Sequence, residues 1–289
     1  MRDSVRLGSV NGIPIGLHWS VALVATFLIV TLTGSILPAI AAGYSAGAYL
    51  VIATGVTVAF LASIVAHELG HSIVAQRNDV NVRGITLFAL GGVAKLEREP
   101  DNAGAAARIA LAGPAVSVAI GVAGVVGWAL TGALGLPSLV VATLGWFGLI
   151  NLGMAVFNMI PALPLDGGRT LQAALWHRRG DRERATISAA NIGRYLGWAM
   201  VAFGLWLFLN GGGGLWYALI GWFVASSARA EGARARFELQ RRNWAPPAWP
   251  QFLVDPGFYR YAATGRRPGP SDRPGDRDDV VDVTGRPAG

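Results

Sequence analysis

The sequence has no cysteine, which excludes a disulfide framework and any thiolate metal site. Charge is scarce as well. Only 14% of the 289 residues are Asp, Glu, Lys or Arg, against about 25% in an ordinary soluble domain. Lys95 is the only lysine, so nearly all the positive charge is arginine. Histidine is confined to His18, His67, His71 and His177. A bound metal must therefore be held by imidazole and carboxylate. The missing charge leaves long gaps: residues 19–66 contain no Asp, Glu, Lys or Arg, and neither do residues 72–76.

Hydrophobic residues make up 53% of the chain, and gaps of this length read as membrane spans. The simplest parse has six, near 17–40, 46–76, 105–131, 137–160, 191–210 and 213–229. Arginines then fall on one side only. Arg2 and Arg6 precede the first span, Arg77, Arg83, Arg98 and Arg108 lie between the second and third, and Arg169, Arg178, Arg179, Arg182 and Arg184 follow the fourth. Arg229, Arg234 and Arg236 follow the sixth, while 41–45, 132–136 and 211–214 carry no charge. The positive-inside rule makes the arginine side cytoplasmic, with both termini there, in a multi-pass protein of the cell membrane. The same placement explains the net charge of +7 without nucleic-acid binding. The first span reads as a retained anchor, because it lacks a small-residue cleavage site after a short apolar core.

The fold expected is an all-α polytopic membrane protein with six transmembrane helices and a short membrane-associated β-hairpin. The hairpin is placed at 82–97, where Ile85, Leu87 and Ala89 alternate with Thr86 and Phe88 and where Gly91-Gly92 signals a turn. Residues 1–230 form the membrane domain. Residues 231–289 read as a Pro- and Arg-rich cytoplasmic tail, disordered from Gly265, with an interfacial aromatic stretch at 244–261.

One motif stands out inside this apolar chain. Residues 67–71 read His-Glu-Leu-Gly-His. Ionisable groups in a span are costly and mark function. On a helix, positions i and i+4 share a face, so His67 and His71 can reach one metal ion. Glu68 lies beside that ion, placed to act as a base on water there.

Two histidines leave zinc short of a protein ligand, since a catalytic site takes three. His18 reads as an interfacial anchor and His177, beside Arg178 and Arg179, as a surface residue. Asp166 is the acidic residue that stands out, in Asn158-Met-Ile-Pro-Ala-Leu-Pro-Leu-Asp166-Gly-Gly-Arg169. Pro161 and Pro164 break the fourth span there, so Asp166 can approach the second span from irregular backbone, which at membrane depth must line a cavity or be buried in protein. His67 lies ~15 Å of helix before Arg77, and Asp166 lies just before Arg169, so both fall in the cytoplasmic half. The plainer reading of Asp166 is a helix cap.

These two motifs together resemble the site-2 protease family of intramembrane zinc metalloproteases, as do Gly113-Pro114 and Gly91-Gly92-Val93; the resemblance covers roughly residues 7–230. It implies one zinc ion per chain, held by His67, His71 and Asp166, with Glu68 as the catalytic base and later proton donor. It implies that Asn158 positions substrate or stabilises the oxyanion, and that the hairpin around Gly91 and Gly92 receives the substrate as an added strand. The expected partners are the lipid bilayer and a membrane-protein substrate such as a membrane-anchored transcription regulator, with room for a homo-oligomer. Many relatives carry a PDZ domain or CBS modules; this sequence is expected to belong with the minimal six-span group. Two other readings compete with hydrolysis: a membrane metal-ion transporter and an inactive protease-like scaffold. A transporter needs ligands at successive depths, and a scaffold has no use for Glu68.

Overall fold

The structure, a computed structural model, describes residues 5–89 and 91–243. The aromatic and disordered stretches expected beyond residue 243 lie outside the described residues.

The chain opens with a β-hairpin. Strand β1 (Val5–Val10) turns at Asn11-Gly12 into β2 (Ile13–Leu17). Both turn residues have positive φ, 50° and 77°, as the tight turn of a two-residue hairpin demands. The first crossing spans Ser20–Ile40. It is made of α1 (Ser20–Thr31), a wide π turn over Leu32–Ile36, and α2 (Leu37–Ile40). Pro38 has no N–H and its ring crowds the carbonyl of Gly34, and the wide turn absorbs that break.

Helix α3 (Ala46–Gln76) returns, started by Ser45, whose hydroxyl accepts the Ala48 N–H at 3.2 Å. Strands β3 (Val82–Phe88) and β4 (Gly91–Leu96) follow. The hairpin expected at 82–97 is present, but it is half of a larger unit. β2 pairs with β3 in parallel, Ile15 opposite Ile85 and Leu17 opposite Leu87, giving a four-stranded sheet in the order β1-β2-β3-β4. Its buried face carries Ile13, Ile15, Ile85 and Leu87. Asn11-Gly12 between apolar flanks is the signature of the missing half.

Helices α4 (Ala103–Ala133) and α5 (Ser138–Asn158) form the next out-and-back pair. They touch backbone to backbone: a Cβ on Gly124 would lie 2.7 Å from Gly148 Cα. In lipid, where apolar surface gains nothing by avoiding its solvent, such small-residue contact holds helices together. The short α6 (Asp166–Arg179) ends at Gly180 in the left-handed region, φ 69°. α7 (Arg182–Leu209) starts at Asp181, whose carboxylate accepts the Arg184 N–H at 2.9 Å.

Among the described residues, five helical stretches are long and apolar enough to cross a membrane, one fewer than the six expected. The span expected at 213–229 is the first half of α8 (Leu215–Asn243), whose apolar run stops at Arg229. That shortness removes it from the count on length and composition. Even so, α8 retraces α7 in the opposite direction. Gly204 packs on Ala218 and Gly197 on Ala225, and Arg242 ends beside Asp181 at 2.7 Å. The chain is thus a multi-pass membrane protein whose sheet, 97–102 link, 159–181 segment and α8 end share one side. Leu23, Phe27, Val51, Leu149, Trp206 and Trp222 point outward as a lipid-facing surface.

Candidate metal centre

Helix α3 carries His67, Glu68 and His71 on one stretch. His67 is 4% exposed. Its Nε2 lies 3.1 Å from Nε2 of His71. Asp166 completes the group: Oδ2 is 3.2 Å from His67 Nε2 and Oδ1 is 3.4 Å from His71 Nε2. This is the group of metal-ligating side chains found among the described residues, with its ligand atoms all within 4.8 Å of one another.

The chain reaches this arrangement through its breaks. α5 stops at Asn158, and Pro161 and Pro164 keep 159–165 out of a helix. Ala162 and Leu163 are buried in that segment. A Cβ on Gly168 would overlap their backbone, so only glycine lets α6 begin so close to the loop. Leu163 packs with Ala189, Ala190 and Ala228, and Arg169 reaches Glu231 at 3.5 Å. Asp166 therefore starts α6 from a position braced by α7 and α8, with its carboxylate turned to the histidines rather than used as a helix cap.

Helix α4 forms the opposite wall. The Ile109 carbonyl accepts from His71 Nδ1 at 2.6 Å. A carbonyl can only accept, so that nitrogen carries the proton and Nε2 of His71 presents a lone pair. His67 Nδ1 lies 2.8 Å from the Ser117 hydroxyl. Gly113 sits between these two contacts, and a Cβ there would come 2.6 Å from His67 Nε2 and would overlap His71 Nε2.

The residues fit a zinc ion. Nitrogen and oxygen ligands at ordinary zinc distances on tetrahedral corners are about 3.3 Å apart, and the three contacts here are 3.1, 3.2 and 3.4 Å. Lone pairs of two imidazoles and a carboxylate converging at that spacing repel one another unless a cation sits among them. Two imidazoles and a carboxylate are a known catalytic zinc set.

Glu68 stands apart from the three. The Ala94 N–H of β4 faces its carboxylate. Strand β4 passes so close that a Cβ on Gly92 would lie 2.8 Å from Glu68 Cδ and 3.0 Å from Oε1. Gly91 has a positive φ of 129° and open space where a side chain would go. Asn158 is the last residue of α5 and is half-buried. The other two histidines stay outside the cluster. His18 Nδ1 is engaged with Ser20 at the start of α1, and His177 is exposed in the last turn of α6. Sequence reasoning did not reach Ser117 or the Ile109 carbonyl. A serine and a backbone carbonyl in an apolar helix carry no motif, and only the helix crossing brings them to the histidines.

The profile of peptidase family M50 matches residues 55–133 and 122–203. Rip3 of Mycobacterium tuberculosis is 42% identical over 237 residues, covering 81% of this chain and 60% of Rip3. The zinc metalloprotease MJ0392 of Methanocaldococcus jannaschii is 36% identical over 207 residues, 71% of this chain and 55% of that protein. The chain thus spans a little over half the length of these curated relatives. The solved structure of the site-2 protease from Methanocaldococcus jannaschii matches 79% of this chain and 94% of its own, with a TM-score of 0.52 and 32% identity. A fold shared over nearly all of that structure, and a profile running from residue 55 to residue 203 across the HELGH helix and Asp166, lead to one statement: the chain belongs to peptidase family M50.

Proposed function

We propose that this chain is an intramembrane zinc metalloprotease that hydrolyses a peptide bond within or near a transmembrane segment of another membrane protein. The observation that carries the reading is the convergence of His67, His71 and Asp166 with Glu68 beside them and a β-strand over Glu68. When bound, zinc polarises the scissile carbonyl and makes a water nucleophilic near neutral pH. Glu68 takes the proton from the attacking water and hands it to the departing amine. Glu68 is free for this task because it stands outside the ligand group, which neither a transporter nor a scaffold would require.

A peptide bond inside a helix is shielded, so the substrate must be drawn out into extended form. β4 is the outermost strand of the sheet, and its Ala94 N–H reaches Glu68. A segment added along that strand would lie against Glu68, and Gly91 and Gly92 keep side chains out of its way. Asn158, at the end of α5, supplies an amide for the developing oxyanion.

The arginine-rich side of the bundle faces the cytoplasm. It holds the sheet, α6 and the far end of α8, and both termini lie there in this reading. Cleavage then occurs in the cytoplasmic half of the membrane and releases a cytosolic product, of which a membrane-anchored transcription regulator is the natural example.

The test is Glu68→Gln. The purified variant should keep one zinc per chain and lose cleavage of a co-expressed membrane substrate. Cleavage at the unaltered rate would defeat the mechanism.

A further inference from the structure

The two histidines are held from behind by unlike groups on the same helix. His71 Nδ1 meets a backbone carbonyl, that of Ile109, at 2.6 Å. His67 Nδ1 meets a side chain, the Ser117 hydroxyl, at 2.8 Å. Ser117 is 0% exposed and His67 4%, so no water competes for this contact. An imidazole must present a bare Nε2 to a metal, which requires the proton on Nδ1 and a partner to accept it. A serine hydroxyl carries lone pairs that can accept the Nδ1–H.

We infer that Ser117 is the positioning residue that fixes the tautomer and ring orientation of His67 for metal binding. The inference rests on reading the cluster as a zinc centre. It adds a role that the ligand set does not contain. The geometry supports it twice. Ser117 lies one turn beyond Gly113, where a Cβ would collide with both Nε2 atoms, so the helix that makes room for the ion also supplies the support. The molecule also contains a matched contrast. Ser72, next to His71, is equally buried, yet its hydroxyl has no hydrogen-bond partner.

The experiment compares three purified variants in detergent, Ser117→Ala, Ser117→Thr and Ser72→Ala, by competition of bound zinc against a chelator. The absorption of the cobalt-substituted forms gives a second readout of the ligand geometry. Ser117→Ala should bind zinc about 10- to 100-fold more weakly and shift the cobalt bands. Ser117→Thr keeps the hydroxyl and should recover most of the affinity and the original bands. Ser72→Ala removes a buried hydroxyl from the adjoining turn and should stay within about twofold of the unaltered protein, since it leaves no partner unpaired.

Equal losses in Ser117→Ala and Ser72→Ala would mean general loosening of the helix pair and would overturn the inference. So would unchanged affinity and bands in Ser117→Ala. If the unaltered chain binds no zinc, the reading of the cluster itself is what fails, and that result is separate from either loss.

Discussion

The two walls of the site are built on different plans. The α4 wall is a helix crossing at close range. Gly113 admits the histidines, while Ile109 and Ser117 engage both Nδ1 atoms from one helix. The β4 wall is a single outer strand, with Gly92 and the Ala94 N–H against Glu68. One wall engages two imidazoles from behind, while Asp166 comes from α6; the other is laid over Glu68 and has only a strand's backbone to offer. On the proposed function, metal geometry belongs to helix packing and substrate geometry to main-chain pairing. Defects in the two walls should therefore fail in different ways.

The largest effect should come from Gly113→Ala. Its Cβ would occupy the space of both Nε2 atoms, so zinc affinity should fall on the order of 100-fold or more and cleavage should be lost with it. Zinc content of the purified variant decides the matter. If Gly113→Ala holds zinc normally, the α4 wall is not what sets the ligand spacing.

Gly92→Ala should sharpen the contrast. The added methyl presses on Glu68 and shifts β4, and a misplacement of about 1 Å can cost about 100-fold in rate. Zinc binding should stay as in the unaltered chain. Loss of zinc in Gly92→Ala would erase the distinction between the walls.

A smaller effect is expected on the brace behind Asp166. Glu231→Gln weakens the contact to Arg169, 3.5 Å away, and partly exposed pairs of this kind contribute little. Cleavage should fall by less than about threefold, since the buried packing of Leu163 with Ala189, Ala190 and Ala228 remains.

The smallest effect belongs to the far end of α8. Arg242 reaches Asp181 at 2.7 Å and Glu183 at 2.9 Å. The Arg184 N–H and then Arg242 hold the Asp181 carboxyl below its ordinary value. A carboxyl lowered on folding contributes stability above its unfolded value, and that contribution is lost as pH falls through the folded one. Arg242→Ala should therefore lower Tm slightly at neutral pH, and high salt should shrink the difference. As pH falls from about 4 through the lowered folded value, the difference between the unaltered chain and the variant should shrink away.

Much of this was legible in the sequence because lipid imposes simple rules. Charge gaps located the spans, HELGH located two imidazoles, and the prolines at 161 and 164 pointed to a break that delivers Asp166. The length of α8 was harder to read. Its apolar run ends at Arg229 while the helix continues to Asn243, and composition alone does not separate a crossing from a helix that lines another. The N-terminal hairpin has a weak local signal beside the long apolar spans, the single turn Asn11-Gly12. Gly92 lying over Glu68 and Ser117 lying behind His67 could not be read at all. Both depend on where two elements cross, and no local pattern encodes a crossing.

The distance along the chain between the parts of the metal site also matters for how the protein is made. His67 and Asp166 are 99 residues apart. A nascent chain that has entered the membrane only as far as α5 has both imidazoles but no carboxylate to join them. The cluster can close only after α6 has emerged, and the packing that braces it waits for α7 and α8. A chain assembled in this order has no complete metal cluster during most of its own synthesis.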